Sequence, residues 1–238
     1  MIEIMTWNTA LTEDDTNLAP IIKFIKEFLD KPNTIAVLQQ IPLKDPNMNW
    51  CLHQIYREFL MNFPKTDYSI FPEAENASFN NGYIYMETII VTKMDNIEPA
   101  DDKYYPNSKI TNRECAIKVN INKIQDLVIM GIHAKNGNDN KCYLKSINDN
   151  PDIIVGDFNA GDYLESENYK IFKTILENHV CICNLPTKRV LHDGVLIRKS
   201  CIDHIFVKRP YVTKCSEMII HENVMYSDHY PITFKIDI

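Results

Sequence analysis

The stretch DIIVGDFNAGD, residues 152–162, constrains the fold more than any other. Its apolar run lacks a polar face, which is the pattern of a strand covered on both sides. The run ends in Asp157 and Asn159. Two residues apart at a strand end, they point to one side. Strand ends in α/β proteins are where polar side chains reach a ligand. A carboxylate beside an amide holds a metal, a water or a phosphate oxygen, and the same pair also caps turns. On these residues alone both readings stand.

Other apolar runs end the same way. VIMGIHAKN delivers His133, YSDHYPITFKI opens on Asp228 and His229, and IEIMTWN closes on Asn8. CIDHIFV sets Asp203 inside an apolar run, where an unpaired carboxylate is costly. A histidine is its natural partner, and an Asp–His pair fixes the imidazole tautomer and raises its basicity. A single histidine at a strand end is usually a satisfied core residue. Four strand ends carrying such groups are harder to assign to packing. IAVLQQIP is the odd member, because it ends in two neutral amides, Gln39 and Gln40.

Strand patterns cover 2–7, 34–38, 67–71, 82–92, 113–121, 126–133, 152–157, 202–207, 211–220 and 231–237. Helical spacing predicts 17–30, with Asn17 as cap and Pro20 in the first turn, then 49–62, 139–147 and 165–178. No Pro/Gly/Ser linker divides the chain. The economical architecture is α/β, with two sheets and helices outside, in one domain over 1–238.

The 238 residues are 45% hydrophobic, which predicts a packed core, and the net charge of −7 argues against a tight non-specific nucleic-acid binder. It does not exclude a nuclease that turns its substrate over. No signal segment and no membrane span are read. Seven scattered cysteines do not suit a secreted disulfide framework. A cytoplasmic protein with reduced thiols, and a monomer, is the expectation. HVCIC could suggest zinc, but its alternation fits a strand and the other half of a zinc site is missing.

Six motifs in order, TWN at 6–8, LQQIP at 38–42, GIHA at 131–134, GDFNAGD at 156–162, IDHIFV at 202–207 and SDHYPI at 227–232, resemble those of the endonuclease/exonuclease/phosphatase family, the group of deoxyribonuclease I and exonuclease III. The resemblance implies a four-layer α/β sandwich: two mixed β-sheets packed face to face, with helices outside. It also implies a phosphodiesterase or nuclease using Mg²⁺ (or Mn²⁺) held by Asn8, the position of Gln40, and Asp228. Asp157 would position or deprotonate water, and Asn159 would bind phosphate. His229, held by Asp203, would contact the scissile group. His133 stands where deoxyribonuclease I has a histidine, with Glu87 as its partner, and Arg113 stands where that family member contacts phosphate. For Arg113 the alternative is a solvated strand-end charge.

Gln40 departs from the pattern, which has glutamate there. Glutamine keeps the shape and one acceptor but loses the charge that Mg²⁺ favours, so an impaired enzyme is expected. One explanation is an eroded site kept for binding a phosphorylated ligand. The other is a single Glu→Gln change in an otherwise active design, which the intact remaining motifs favour. The substrate could be DNA, RNA or a small nucleotide, with a soluble phosphorylated metabolite as the phosphatase alternative. Lys188, Arg189, Arg198 and Lys199 flank a loop before the Asp203 strand, where they could rim a polyanion site or serve solubility. Tyr83, Tyr85, Tyr104 and Tyr105 could stack on bases or pack.

Overall fold

The computed structural model describes residues 1–11, 17–41, 50–72, 88–108, 113–121, 126–161, 170–171, 174, 176–193 and 195–238. Two six-stranded sheets form its centre. The first runs β13 (Cys215–Ile220), β14 (Ile232–Ile236), β1 (Ile2–Asn8), β2 (Thr34–Gln39), β4 (Thr88–Thr92) and β3 (Ser69–Phe71). The second runs β5 (Ile97–Pro99), β6 (Glu114–Asn120), β7 (Asp126–His133), β8 (Ile153–Asp157), β12 (Asp203–Lys208) and β9 (His179–Cys183). β1 with β2 and β7 with β8 are parallel and the other neighbours antiparallel, so both sheets are mixed. A separate hairpin joins β10 (Lys188–His192) to β11 (Val195–Ser200).

Alternation explains the layering. In β1, Ile2 and Ile4 enter a core shared with Ile129, Val155 and Ile205 of the second sheet. Met5 and Trp7, on the opposite face, pack under α1 (Leu18–Leu29) and α2 (Trp50–Asn62). α1 turns Ile21, Ile22, Ile25, Phe28 and Leu29 inward at helical spacing. Beyond the second sheet, Met130, Ile132, Ile154 and Phe206 pack with Tyr143 and Leu144 of the short α3 (Asn140–Leu144). Each such side chain taken out of water contributes about 1.5–3 kcal/mol. The result is the expected α/β sandwich, with a thin helical cover over the second sheet among the described residues.

Three local expectations differ from the structure. Asn17 precedes α1 but makes no side-chain cap bond; its carbonyl accepts from Ile21 N–H instead. The run from 211 begins as a short helix, α4 (Arg209–Val212), because Pro210 in its first turn has the φ of a helix start, and the strand follows only at Cys215. Where the sequence suggests a loop flanked by basic residues, the structure has the hairpin of β10 and β11. Most of the predicted helix at 165–178, and residues 82–87 of the predicted strand, lie outside the described residues.

Gly156 fixes how β8 lies against β7. Its φ is +135°, and a Cβ there would stand 2.0 Å from the Ile132 carbonyl oxygen. Gly156→Ala is therefore expected to cost about 3 kcal/mol, or roughly 6–12 °C in Tm. Thermal unfolding followed by circular dichroism checks this; an unchanged Tm would show that the strand relaxes freely.

Candidate active site

The rows of inward side chains end in polar groups at one end of the sandwich. In β7 the row of Leu127 and Ile129 reaches His133, in β8 Ile153 and Val155 reach Asp157, and in β12 Val207 and Ile205 reach Asp203. The register sets His133 beside Asp157, and Asp157 beside Asp203. The same alternation that fills the core thus aims these groups into one mouth. From the facing sheet, Asn8 at the end of β1 donates Nδ2–H to Asp157 Oδ2 at 3.0 Å.

His229 joins them from the segment before β14. Its Nδ1 lies 3.0 and 2.9 Å from the two Asp203 oxygens, and Thr187 donates its hydroxyl to Asp203 Oδ2 at 2.6 Å. The segment is anchored by Trp7 Nε1–H donating to the His229 carbonyl, Ser227 donating to the Asn8 carbonyl, and His229 N–H donating to Ser227 Oγ. With Nδ1 occupied, Nε2 faces the mouth, 3.8 Å from Asp157 Oδ2 and 3.8 Å from Asp228 Oδ1. His133 Nε2 approaches Asp157 Oδ2 at 3.7 Å. One carboxylate oxygen therefore sits between two imidazoles.

Asn159, at φ +48°, turns the chain back so that its N–H donates to Asp157 Oδ1 at 2.7 Å. Its Nδ2 donates to the Ala134 carbonyl at 2.9 Å, leaving a second amide hydrogen. Arg113 donates from a guanidinium NH to the His133 carbonyl at 3.1 Å, so it borders the same strand end.

Burial and charge set the protonation states. Burial pushes the Asp157 carboxyl up, and the nearby Asp203 charge adds to this, against the pull of the two histidines. Burial would also raise Asp203, but His229 and the Thr187 hydroxyl hold it low. For His229 burial works downward, and Asp203, then Asp157 and Asp228, more than offset it and push the imidazole up to about 9. The resting arrangement is an Asp203 carboxylate paired with a His229 imidazolium, beside a carboxyl of raised proton affinity. A carboxyl so poised is suited to take a proton.

Asp157, Asp203 and His229 each offer one ligand atom within 4.8 Å of the others, a group that could surround a metal ion. Its chemistry does not suit magnesium, which wants a near-octahedral shell of oxygens: one donor is an imidazole nitrogen and Asp203 spends both oxygens on His229. The set expected for Mg²⁺ fares no better. Asn8 Oδ1 accepts from Ala10 N–H at 3.1 Å. Gln40, at φ +57°, lies one residue past the pairing of Asn8 with Gln39 and carries no charge. Asp228 is the one carboxylate of the three, and its Oδ2 is 3.2 Å from Lys188 Nζ.

Glu87 lies outside the described residues, as do Tyr83 and Tyr85. Tyr105 is buried with its hydroxyl on the Ala116 backbone, so it packs rather than presenting a face. The basic rim is mostly engaged: Lys188 with Asp228, Arg189 with the Met225 and Ser227 carbonyls, and Lys199 with Glu222. The structure adds Thr187, which the sequence does not point to, and sets Lys188, expected only as part of a basic rim, against Asp228. In the sequence the dipeptide Asp-Gly at 193–194 is of a kind that favours a tight turn, and in the structure His192 pairs with Val195.

The Asp203–His229 pair makes stability depend on pH at both ends. His229 is raised above its unfolded value of roughly 6.5, so its contribution is complete below that value and is lost as pH climbs through about 9. Asp203 is held below its unfolded value of roughly 3.9, so its contribution is complete above that value and is lost as pH falls beneath it. The urea midpoint is expected to plateau between these limits, and in Asp203→Asn the high-pH loss should flatten. Urea titrations from acid to alkaline pH read this, and an unaltered profile in the variant would refute the pairing.

No protein-family model and no curated protein matches this sequence. Solved structures do match. The endonuclease domain of TRAS1, a telomere-specific non-LTR retrotransposon, superposes with TM-score 0.68 at 14% identity, covering 100% of this chain and 99% of that one. A 3′-5′ exonuclease (NExo) from Neisseria meningitidis gives 0.66 at 15% identity, with both chains covered completely. An endonuclease/exonuclease/phosphatase family protein from Leptotrichia buccalis gives 0.65 at 17%, again over 100% of each chain. Over its whole length, this chain has the fold of the endonuclease/exonuclease/phosphatase proteins.

Proposed function

We propose that this chain is a phosphodiester hydrolase of the endonuclease/exonuclease/phosphatase family, acting on nucleic acid or a nucleotide. The observation that carries the proposal is Asp157 Oδ2 set between His133 and His229, at 3.7 and 3.8 Å, with His229 held in one orientation by buried Asp203. A hydrolytic site for an anionic ester needs a base for water, a cationic donor for the leaving oxygen, and fixed amides for the phosphoryl oxygens. Two further structures of this fold support DNA as the substrate class: the 3′ phosphatase NExo from Neisseria bound to a product DNA hairpin, and D. rerio TDP2 complexed with a single-strand DNA product.

Asp157 aligns a water and takes its proton as the water oxygen forms a bond to phosphorus. The bond from phosphorus to the ester oxygen breaks, and that oxygen receives the proton carried on His229 Nε2. Asp203 keeps His229 oriented and stabilises the imidazolium. The spare amide hydrogen of Asn159 meets a non-bridging oxygen, and His133 lies on the opposite side of Asp157. Mg²⁺ (or Mn²⁺), expected from the resemblance, enters none of these steps, because the donor set offers it one carboxylate that is already paired.

Removing the base tests the assignment. Asp157→Asn is expected to lower kcat by about 10²–10⁴-fold with little change in KM. The assay uses single- and double-stranded DNA, RNA, cyclic nucleotides and inositol phosphates, each with and without Mg²⁺. Hydrolysis that survives in Asp157→Asn would remove Asp157 from this role. Absence of turnover on every substrate, by the chain and by Gln40→Glu alike, would replace the hydrolase with a phosphate-binding module.

A further inference from the structure

Of the three residues expected to hold a dication, Asn8, Gln40 and Asp228, only Asp228 is a carboxylate. Two carboxylates balance a dication, whereas one carboxylate balances one ammonium. The ammonium is present: Lys188 Nζ lies 3.2 Å from Asp228 Oδ2, and the Lys188 side chain is 29% exposed. Its backbone is fixed to the catalytic segment on both sides. Lys188 bridges to His229, Arg189 N–H donates to the Asp228 carbonyl at 2.7 Å, and Tyr230 N–H donates to the Thr187 carbonyl at 2.7 Å. The preceding residue, Thr187, holds Asp203. This lysine is built into the frame that positions His229.

We propose that Lys188 is the resident cation of the site, taking the place of a divalent metal beside Asp228 and contacting a non-bridging oxygen of a bound phosphodiester. The inference rests on the hydrolase reading above. A lysine ammonium is a point charge with three donors. With one donor on Asp228, two remain for phosphate oxygens. Gln40 bears on the same charge balance, since it follows Gln39, the strand partner of Asn8. A glutamate there would bring a second anion and restore the charge a dication needs, while the amide leaves Lys188 and Asp228 balanced.

The test measures metal binding and turnover separately. Mn²⁺ is titrated by electron paramagnetic resonance against the unaltered chain, Lys188→Met, Lys188→Arg and Gln40→Glu/Lys188→Met. Cleavage of a fluorescent single-stranded DNA oligonucleotide is followed in EDTA and in Mg²⁺, with folding checked by thermal unfolding. The expected result is Mn²⁺ binding to the unaltered chain no tighter than millimolar, and cleavage that EDTA does not abolish. Lys188→Met should lose about 100-fold in kcat/KM in EDTA, and Lys188→Arg should recover about tenfold of that. Gln40→Glu/Lys188→Met should bind Mn²⁺ at least about tenfold more tightly than the unaltered chain, since it gains a carboxylate and loses an ammonium. Tight Mn²⁺ binding by the unaltered chain, or cleavage that vanishes in EDTA and returns with Mg²⁺, overturns the role of Lys188 while the hydrolase reading stands. If no form cleaves anything, the hydrolase reading fails; the Mn²⁺ titrations then still decide whether Lys188 occupies the metal's place.

Discussion

A single buried carboxylate organises the mouth of this sandwich. Asp203 is removed from water at the end of a central strand, a placement that costs several kcal/mol unless the charge is matched. It is matched by the His229 ring and the Thr187 hydroxyl. These bonds come from different parts of the chain, so satisfying one charge draws the hairpin base and the segment before β14 onto β12. The tautomer of His229, the direction of its free nitrogen and the place of Lys188 all follow from that demand.

The two-sheet core is what allows the demand to be met. Inward positions along β7, β8 and β12 are aliphatic until the last residue of each row, where they become His133, Asp157 and Asp203. The sheets approach closely enough that a Cβ on Gly131 would stand 2.3 Å from Val37 Cγ1 of the facing sheet. This closeness lets Asn8, from the first sheet, reach Asp157 of the second. A loosely packed sandwich would leave the amide and the carboxylate to separate waters.

Most of this is legible in the sequence because it follows from alternation. A strand with period two places its terminal polar residue on a known face, so the positions of His133, Asp157 and Asp203 can be read one strand at a time. The need of Asp203 for a partner follows from the cost of burial alone. The contribution of 187–200 is not legible as structure. Its β11 residues Val195, Leu196 and Ile197 are exposed on successive positions, so the hairpin lacks the one-sided apolar pattern that marks a strand. Its basic residues look like one charge cluster, which hides the separate pairings of Lys188, Arg189 and Lys199. The short helix at Arg209–Val212 is obscured because Tyr211 and Val212 also pack into the inter-sheet core, as strand residues would.

The union of the first strand with the segment before the last one bears on how the protein comes into being. Trp7 and His229 are joined across 222 positions of sequence, and Asn8 is tied to Ser227 in the same way. On the ribosome, β1 emerges long before its antiparallel partner β14, and Asp157 long before His229. A nascent chain that ends short of His229 lacks both the ring that matches buried Asp203 and the imidazole beside Asp157. For a hydrolase of the kind proposed, the site is complete only once the segment carrying His229 has been made.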